Sequence, residues 1–387
     1  MRRMEFDNLR QMDGKIREKF NSLPEEKKKK SLNAKTFVLY PFEVTEQLKK
    51  SFEDKEQDSL DMIVNHLKTF KKSYVATSFG MDSIVMMDLV IRASKIANVP
   101  IPDMFINNTL NLFKEEKKYW DEMVKFFGIE KQFKIFTPPK DENGVQQTVW
   151  SIAKKVGHLP SFRAMGGRGE AYKRMGGKES IKKIGSRGDT PECCDILKKE
   201  TMKKFLKSLS EDERYDCHFV GTRAEESRMR RLNLLQRCRT YLLKTKFPYP
   251  IRVCTPLGFW TSADIYEYYA RYNIPKNPAY KIHNMTRMGC ASCPAHKNWE
   301  IRLAKDPTLE GLGMLKMNLK IEKETEPNRF KNSIEILQKW IKTKESYELI
   351  TEIQRDKILD IINEFTNEKT ICKYFTATQL SEGCAKE

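Results

Sequence analysis

Four cysteines carry the sharpest chemical spacing in the chain. Cys193 and Cys194 are adjacent, and Cys290 and Cys293 form C-x-x-C in RMGCASCPAH. Thiolates are soft ligands that select zinc or iron–sulfur clusters over hard cations. Zinc is usually held by two C-x-x-C-like hooks, and a neighbouring pair is an awkward bite for one small ion. The two pairs are far apart in sequence, so any shared site needs the fold to bring two loops together. The chain holds nine cysteines, an odd count that argues against complete pairing. A reducing cytosol leaves metal binding or thiol chemistry as the reason for clustered thiols. Cys217 and Cys254 lie in apolar strand patterns and read as small hydrophobes; Cys238 and Cys372 also read as structural. Cys384, in LSEGCAKE near the chain end, is expected to be an exposed thiol, either reactive or incidental.

A second constellation runs through SYVATSFGMDSIVMMDLVIRA. Between an apolar strand and a helical pattern, Ser78, Phe79, Gly80, Met81, Asp82 and Ser83 form a turn whose amides and hydroxyls can face a phosphate at a helix N-terminus. Gly80 permits close backbone approach, Ser78 and Ser83 offer hydroxyls, and Asp82 either caps the helix or orients Mg²⁺. A plain N-cap after a buried strand would use the same residues. Farther along, GTRAEESRMR supplies Arg223, Arg228 and Arg230, guanidinium groups suited to bidentate phosphate or sulfate contacts, with Glu225 or Glu226 able to hold one in place. The competing reading is an exposed helix start laced with charge. The five histidines show no metal spacing among themselves; His296, near the C-x-x-C, reads as a surface residue. Trp260, Tyr266, Tyr268 and Tyr269 read as core packing.

The elements that would position these groups alternate. SYVATSF, DMFINN, KQFKIFTPP, YDCHFVGT and VCTPLG read as strands, with helices over about 82–97 and 114–127 between the first three. Strands separated by helices imply parallel pairing through right-handed crossovers. The expected fold is therefore α/β: an open parallel sheet of about five strands, helices on both faces, and ligands at the carboxyl ends of the strands. Leu60, Ile63, Val64 and Leu67 fall at helical spacing just before the first strand. Expected boundaries are a helical extension at 1–72, a nucleotide-binding domain at 73–296, and a helical region at 297–387 with Ile334, Ile336, Leu337, Trp340 and Ile341 on its apolar face. The glycine-rich stretch 157–189 is either a substrate lid or a flexible insertion.

SFGMDS resembles the S-x-G-x-D-S pyrophosphate loop of N-type ATP pyrophosphatases and of the phosphoadenosine-phosphosulfate (PAPS) reductase family. INNTLNLFKEE resembles that family's second-strand motif, departing from it at Asn108, Leu110 and Lys114. GTRAEESRMR is similar to G-x-R-x-x-E-S-x-x-R, and TPLGFWTSADIYEYYARYNIP to P-L-x-x-W-T-x-x-D-I-W-x-Y. The resemblance implies an adenine nucleotide (ATP, adenosine phosphosulfate or PAPS) bound by Ser78, Phe79, Gly80, Asp82, Ser83, Gly221, Arg223, Glu226, Ser227 and Arg230. It implies a [4Fe–4S] cluster on Cys193, Cys194, Cys290 and Cys293, since ECCDILKKE looks like the C-C-x-x-x-K segment of many reductases. Zinc and no metal are the alternatives. Cys384 resembles, in part, the nucleophile of the reductase tail E-C-G-x-H, though no histidine follows it.

Two activities follow from the resemblance. One is reduction of an activated sulfate to sulfite with a thiol donor such as thioredoxin, with Cys384 as catalytic thiol. The other is ATP-dependent sulfur insertion into a nucleic acid, as in DNA phosphorothioation proteins of the DndC type and tRNA thiolases, with Asp82 in the pyrophosphate grip and a sulfur-donor protein as partner. A non-catalytic nucleotide-binding regulator is a third. The formal net charge of +18 suits a polyanionic partner, a nucleic acid among them, or reflects lysine bias. No run approaches the ~18 apolar residues of a membrane-spanning helix, and no apolar segment follows the basic N-terminus. The expectation is a cytoplasmic protein.

Overall fold

The computed structural model describes residues 39, 41–160, 192–243, 248–294 and 298–366. Six strands form one sheet: β1 (Ser73–Ala76), β2 (Asp103–Asn107), β3 (Phe133–Phe136), β4 (Cys217–Val220), β5 (Thr240–Leu243) and β6 (Ile251–Cys254). Their order is β3-β2-β1-β4-β6-β5. All pairs are parallel except β5 with β6. The five expected strands are β1, β2, β3, β4 and β6. The addition is β5, whose half-buried residues carry too weak an apolar signal to stand out from the basic segment around them. It adds an antiparallel edge to an otherwise parallel sheet.

The two central strands explain where the site lies. β1 is flanked by β2 and β4, so the chain reverses its direction of winding at β1, and the loops leaving β1 and β4 open a crevice at their carboxyl ends. The helix Met81–Ala97 starts in that crevice and buries nine of its residues, Ile84 to Ser94, against the sheet. On the same side packs the helix Phe52–Thr69, capped by Ser51 Oγ accepting from Asp54 N. Its Leu60, Ile63 and Leu67 belong to the same apolar cluster as Val75, Ile84 and Phe219. A buried ion pair from Lys55 to Asp264 (2.7 Å) and a hydrogen bond from Trp260 Nε1 to Ser59 (2.9 Å) fasten it to the segment after β6. This helix thus completes the sheet's core.

The helices Trp299–Ala304, Leu309–Thr325, Pro327–Trp340, Lys344–Leu349 and Glu352–Thr366 build a second apolar cluster, in which Leu303, Leu315, Leu319, Leu337 and Ile358 are fully enclosed. Of the expected apolar face, Ile334, Leu337, Trp340 and Ile341 are buried, whereas Ile336 is only half-buried. The cluster also takes in Met285, Met288 and Ala291, which flank or lie within the C-x-x-C segment. Among the aromatics expected in the core, Trp260, Tyr268 and Tyr269 are buried, whereas Tyr266 is 57% exposed: it falls on the outer face of the helix Ser262–Arg271. Among the described residues no helix is long and apolar enough to cross a membrane. The stretch 161–191, His296, Cys372 and Cys384 lie outside the described residues.

Candidate nucleotide and thiol site

After β1 the chain makes its turn at Phe79, which has φ 50°, an uncommon left-handed conformation for a bulky residue. Packing holds it there. The Phe79 ring is 1% exposed and stacks on Trp120 at 5.7 Å, with Tyr119 and Phe133 edge-on. Its amide donates to Thr77 Oγ1 (3.1 Å). Phe79 therefore anchors the loop from below and offers a ligand only its backbone. Above it, Ser78 and Ser83 hydroxyls lie 3.0 Å apart, and Ser83 Oγ accepts from the Ser78 amide (3.3 Å). Gly80 precedes the helix; a Cβ there would lie 3.3 Å from Ser78 Oγ. Met81 N donates to Tyr280 Oη (3.2 Å), which ties the loop to the segment leading into the C-x-x-C.

Asp82 faces Arg223. The Arg223 Nε donates to Asp82 Oδ1 (2.8 Å), and its Nη1 to Glu225 Oε2 (2.9 Å). Glu225 in turn accepts from the Ser262 amide and hydroxyl, so three loops share one buried guanidinium, 8% exposed. Burial raises the Asp82 carboxyl above its ordinary range, opposed by the Arg223 charge. Glu226 accepts from the Arg223 amide (3.1 Å) and pairs with Arg230. Ser227 caps the helix Arg228–Arg237 by accepting from Arg230 N. Both glutamates thus hold an arginine, one each. Gly221 is required by contact: a Cβ there would sit 2.9 Å from the Asp82 carbonyl. The Arg228 side chain lies outside the described residues. Arg230 is half-exposed, and its pKa is lowered by burial and by the nearby charges of Arg287 and Arg223, against the pull of Asp82. Arg287 is a site residue the sequence reading passed over; its place three residues before Cys290 is the signal that could have found it. A cleft lined by Val220, Thr222, Arg230, Leu234 and Tyr241 opens beside this group.

The thiols converge. Cys193 feels the charges of Cys194, Cys290 and Cys293, although the two pairs come from segments ninety-odd residues apart in the chain. All are free thiols. A hydrogen bond from Cys193 and the charges of Lys198 and Lys199 pull Cys194 down against desolvation, while its partner Cys193 is pushed up by that same bond and by burial. The turn after Cys194 is a π-helix over Asp195–Glu200, a widened coil frequent at functional sites. It carries Lys198, which feels all four thiols. Cys290 is buried and donates to Thr109 Oγ1 (3.3 Å). Ala291 N donates to the Asn111 carbonyl (2.7 Å), and Asn111 Nδ2 to Ser292 Oγ (2.6 Å). The loop after β2, where the sequence departs from its resembled motif, is the cradle of the C-x-x-C turn.

This donor set, four thiols from two segments, fits a thiolate-held metal centre, zinc or an iron–sulfur cluster. In a tetrahedral zinc site, Zn–S bonds of ~2.3 Å put the sulfurs roughly 3.8 Å apart. Among the described residues the thiols do not form a group whose ligand atoms lie within 4.8 Å of one another. Lys198 and the half-buried Arg302 lie beside the four thiols and suit the negative charge of either centre.

The sequence profile of the phosphoadenosine phosphosulfate reductase domain matches residues 72–158 and 164–296, more than half of the chain. The chain belongs to this family. No curated protein matches it in sequence. The solved structures similar to this PAPS reductase-family chain include three of differing activity. Phosphoadenylyl-sulfate (PAPS) reductase from Candida auris, in a phosphate complex, is 16% identical, covering 65% of this chain and 96% of that one at a TM-score of 0.39. FMN adenylyltransferase from Candida glabrata, with FMN and an ATP analogue, is 12% identical over 64% and 69% at 0.39. The U34-tRNA thiolase NcsA from Methanococcus maripaludis, with its [4Fe–4S] cluster, is 12% identical over 86% and 88% at 0.33.

Proposed function

We propose that this family member is an enzyme that binds an adenylyl nucleotide over Ser78–Ser83 and performs sulfur chemistry beside it, reducing an activated sulfate to sulfite. The observation that carries the reading is adjacency: Met81 N bonds Tyr280, and Cys290 and Ala291 bond the loop after β2, so thiols and phosphate loop share one end of the sheet. In this reading the phosphates lie on the amides at the helix start, and Arg230 with Arg287 holds the sulfonate-bearing end. Arg223 keeps Asp82 fixed. A [4Fe–4S] cluster on Cys193, Cys194, Cys290 and Cys293 would supply electron-storing capacity next to the nucleotide. The reacting thiolate is Cys384: it attacks the sulfate sulfur, an S–S bond forms, and the S–O bond to the nucleotide phosphate breaks. A second thiol, from a protein such as thioredoxin, then attacks Cys384, leaving a disulfide and releasing sulfite.

A second reading, ATP-dependent sulfur transfer to a nucleic acid, draws support from Asp82, which the Arg223–Glu225–Ser262 network holds in the phosphate loop, and from the net charge of +18. Mg²⁺ on Asp82 and a sulfur-donor protein belong to this reading. Anaerobic protein assayed in parallel with ATP, adenosine phosphosulfate and PAPS separates the two. Sulfite from a phosphosulfate, abolished by truncation before Ser381 with nucleotide binding retained, is the expected result. Pyrophosphate from ATP, raised by added nucleic acid and with no sulfite from either phosphosulfate, replaces the first reading by the second.

A further inference from the structure

Away from the thiols, His283 is held on three sides. Its ring stacks on Phe113 with centroids 3.4 Å apart and planes 8° from parallel. Its Nδ1 lies 2.9 Å from Asp306 Oδ2 and its Nε2 3.0 Å from Glu115 Oε2. Asp306 is itself fixed, because its Oδ1 accepts from the Thr308 amide (2.9 Å) and hydroxyl (2.7 Å). Gly311 makes room for it: a Cβ at that position would lie 2.2 Å from the Asp306 carboxyl carbon. With the Nδ1 proton given to Asp306, Nε2 is a lone pair pointing at an anionic oxygen, and the pair needs a positive charge between them.

A second proton on His283 would satisfy those two atoms. Its charge would also draw Glu310, without giving that carboxylate a bond. A Glu310 oxygen, a Glu115 oxygen and a His283 nitrogen lie within 4.8 Å of one another, the one such group among the described residues. Among the described residues the Glu310 carboxylate makes no hydrogen bond or close ion pair, only longer-range attractive charge interactions with His283 and Lys114. Lys114, 3.8 Å from Glu115 Oε1, is solvent-exposed and sits on the outer oxygen. One proton cannot bridge three ligands, whereas a metal ion can. The arrangement of carboxylate, histidine and ligand atom is also that of metal sites in which an outer carboxylate fixes the imidazole tautomer.

We propose that Glu115, His283 and Glu310 bind a divalent transition-metal ion, zinc by its match to one imidazole and two carboxylates with water completing the shell, and that Asp306 orients the histidine. The three ligands come from the helix Lys114–Phe127 after β2, the turn after Ala279–Ile282, and the start of the helix Leu309–Thr325. The ion therefore fastens the helical layer to the sheet beside the C-x-x-C segment, and it is a site separate from the four thiols.

The test uses the full chain, stripped with chelator and then titrated with Co²⁺ and Zn²⁺. A Cys290→Ser/Cys293→Ser background removes half of the thiol set. In that background one Co²⁺ per chain is expected, with d–d bands and no thiolate charge-transfer band, displaced by Zn²⁺, and the melting temperature should rise with Zn²⁺ concentration. Glu310→Gln, at a partly exposed position, should weaken binding at least tenfold and move the Zn²⁺-dependent rise to at least tenfold higher Zn²⁺ while leaving the metal-free melting temperature unchanged. Co²⁺ and Zn²⁺ affinities unchanged by Glu310→Gln, or cobalt spectra showing thiolate ligation alone, overturn the site.

Discussion

At the scale of single residues, Arg223 and Gly221 show how the phosphate loop is made from outside itself. Arg223 reaches back across the crevice to Asp82 and also gathers Glu225 and Ser262. Gly221 lets β4 run close under the helix start, with only 2.9 Å between a would-be Cβ and the Asp82 carbonyl. The atom in the way is backbone, so it cannot swing aside. Gly221→Ala should push the first helical turn outward, cost about 1–3 kcal/mol in stability and weaken nucleotide binding on the order of tenfold, ~1.4 kcal/mol. Equilibrium unfolding and nucleotide titration check it. Gly313→Ala, where a Cβ meets nothing within 4 Å, is the control and should be neutral or stabilising. The loop's residue types were legible in the sequence because strand, turn and helix follow each other directly. Phe79's part was not, since only the packing of Trp120 and Tyr119 around it shows that the ring faces the core and leaves the backbone to the ligand.

At the scale of elements, the five parallel strands could be read from apolar runs bounded by turns, and β5 could not, since an edge strand buries little. The central strand β4 carries a further feature that periodicity hides. His218 stacks on Tyr74 at 4.4 Å. The residue as a whole is half-buried, yet both ring nitrogens lie out of contact with solvent, and desolvation pushes its pKa down to about 3. The folded protein therefore binds this proton less readily than the unfolded chain does, with its ordinary value near 6.5. Stability from this group is intact above pH ~6.5 and is lost progressively as pH falls toward 3, by at most about 1.4 kcal/mol per pH unit. Urea unfolding at pH 7 and pH 5 should show that loss in the wild type. His218→Phe, which keeps an aromatic face against Tyr74, should show a shallower decline; equal slopes would assign the acid sensitivity elsewhere.

At the scale of the whole molecule, the C-x-x-C turn is held by three parts of the chain at once. From the sheet, Asn111 bonds Ala291 and Ser292. From the helical layer, Arg302 Nη2 donates to the Ala291 carbonyl (2.6 Å), and Asn318 Nδ2 donates to the Ser292 carbonyl (2.9 Å). From the helix Val149–Val156, Trp150 Nε1 donates to Asn318 Oδ1 (2.9 Å). The sequence gives no hint of this, because Asn318 sits in an ordinary helical pattern among lysines and leucines, and only the docked helices reveal that it is fully buried. Asn318 is thus a bridge between two helices and the thiol-bearing turn. Asn318→Ala would strand the buried Ser292 carbonyl, whose loss of partner costs about 1–3 kcal/mol, and would free the part-buried Trp150 indole N–H. Since Asn111 and Arg302 still grip the turn, the fold should survive. If the thiols hold the proposed [4Fe–4S] cluster, its retention should change: anaerobically prepared Asn318→Ala should lose iron to chelator several times faster than the wild type. Nucleotide affinity should stay within twofold, because Tyr280 and Arg223, not Asn318, secure the phosphate loop. Iron loss at the wild-type rate would mean that the helical layer supports the thiols by apolar packing alone.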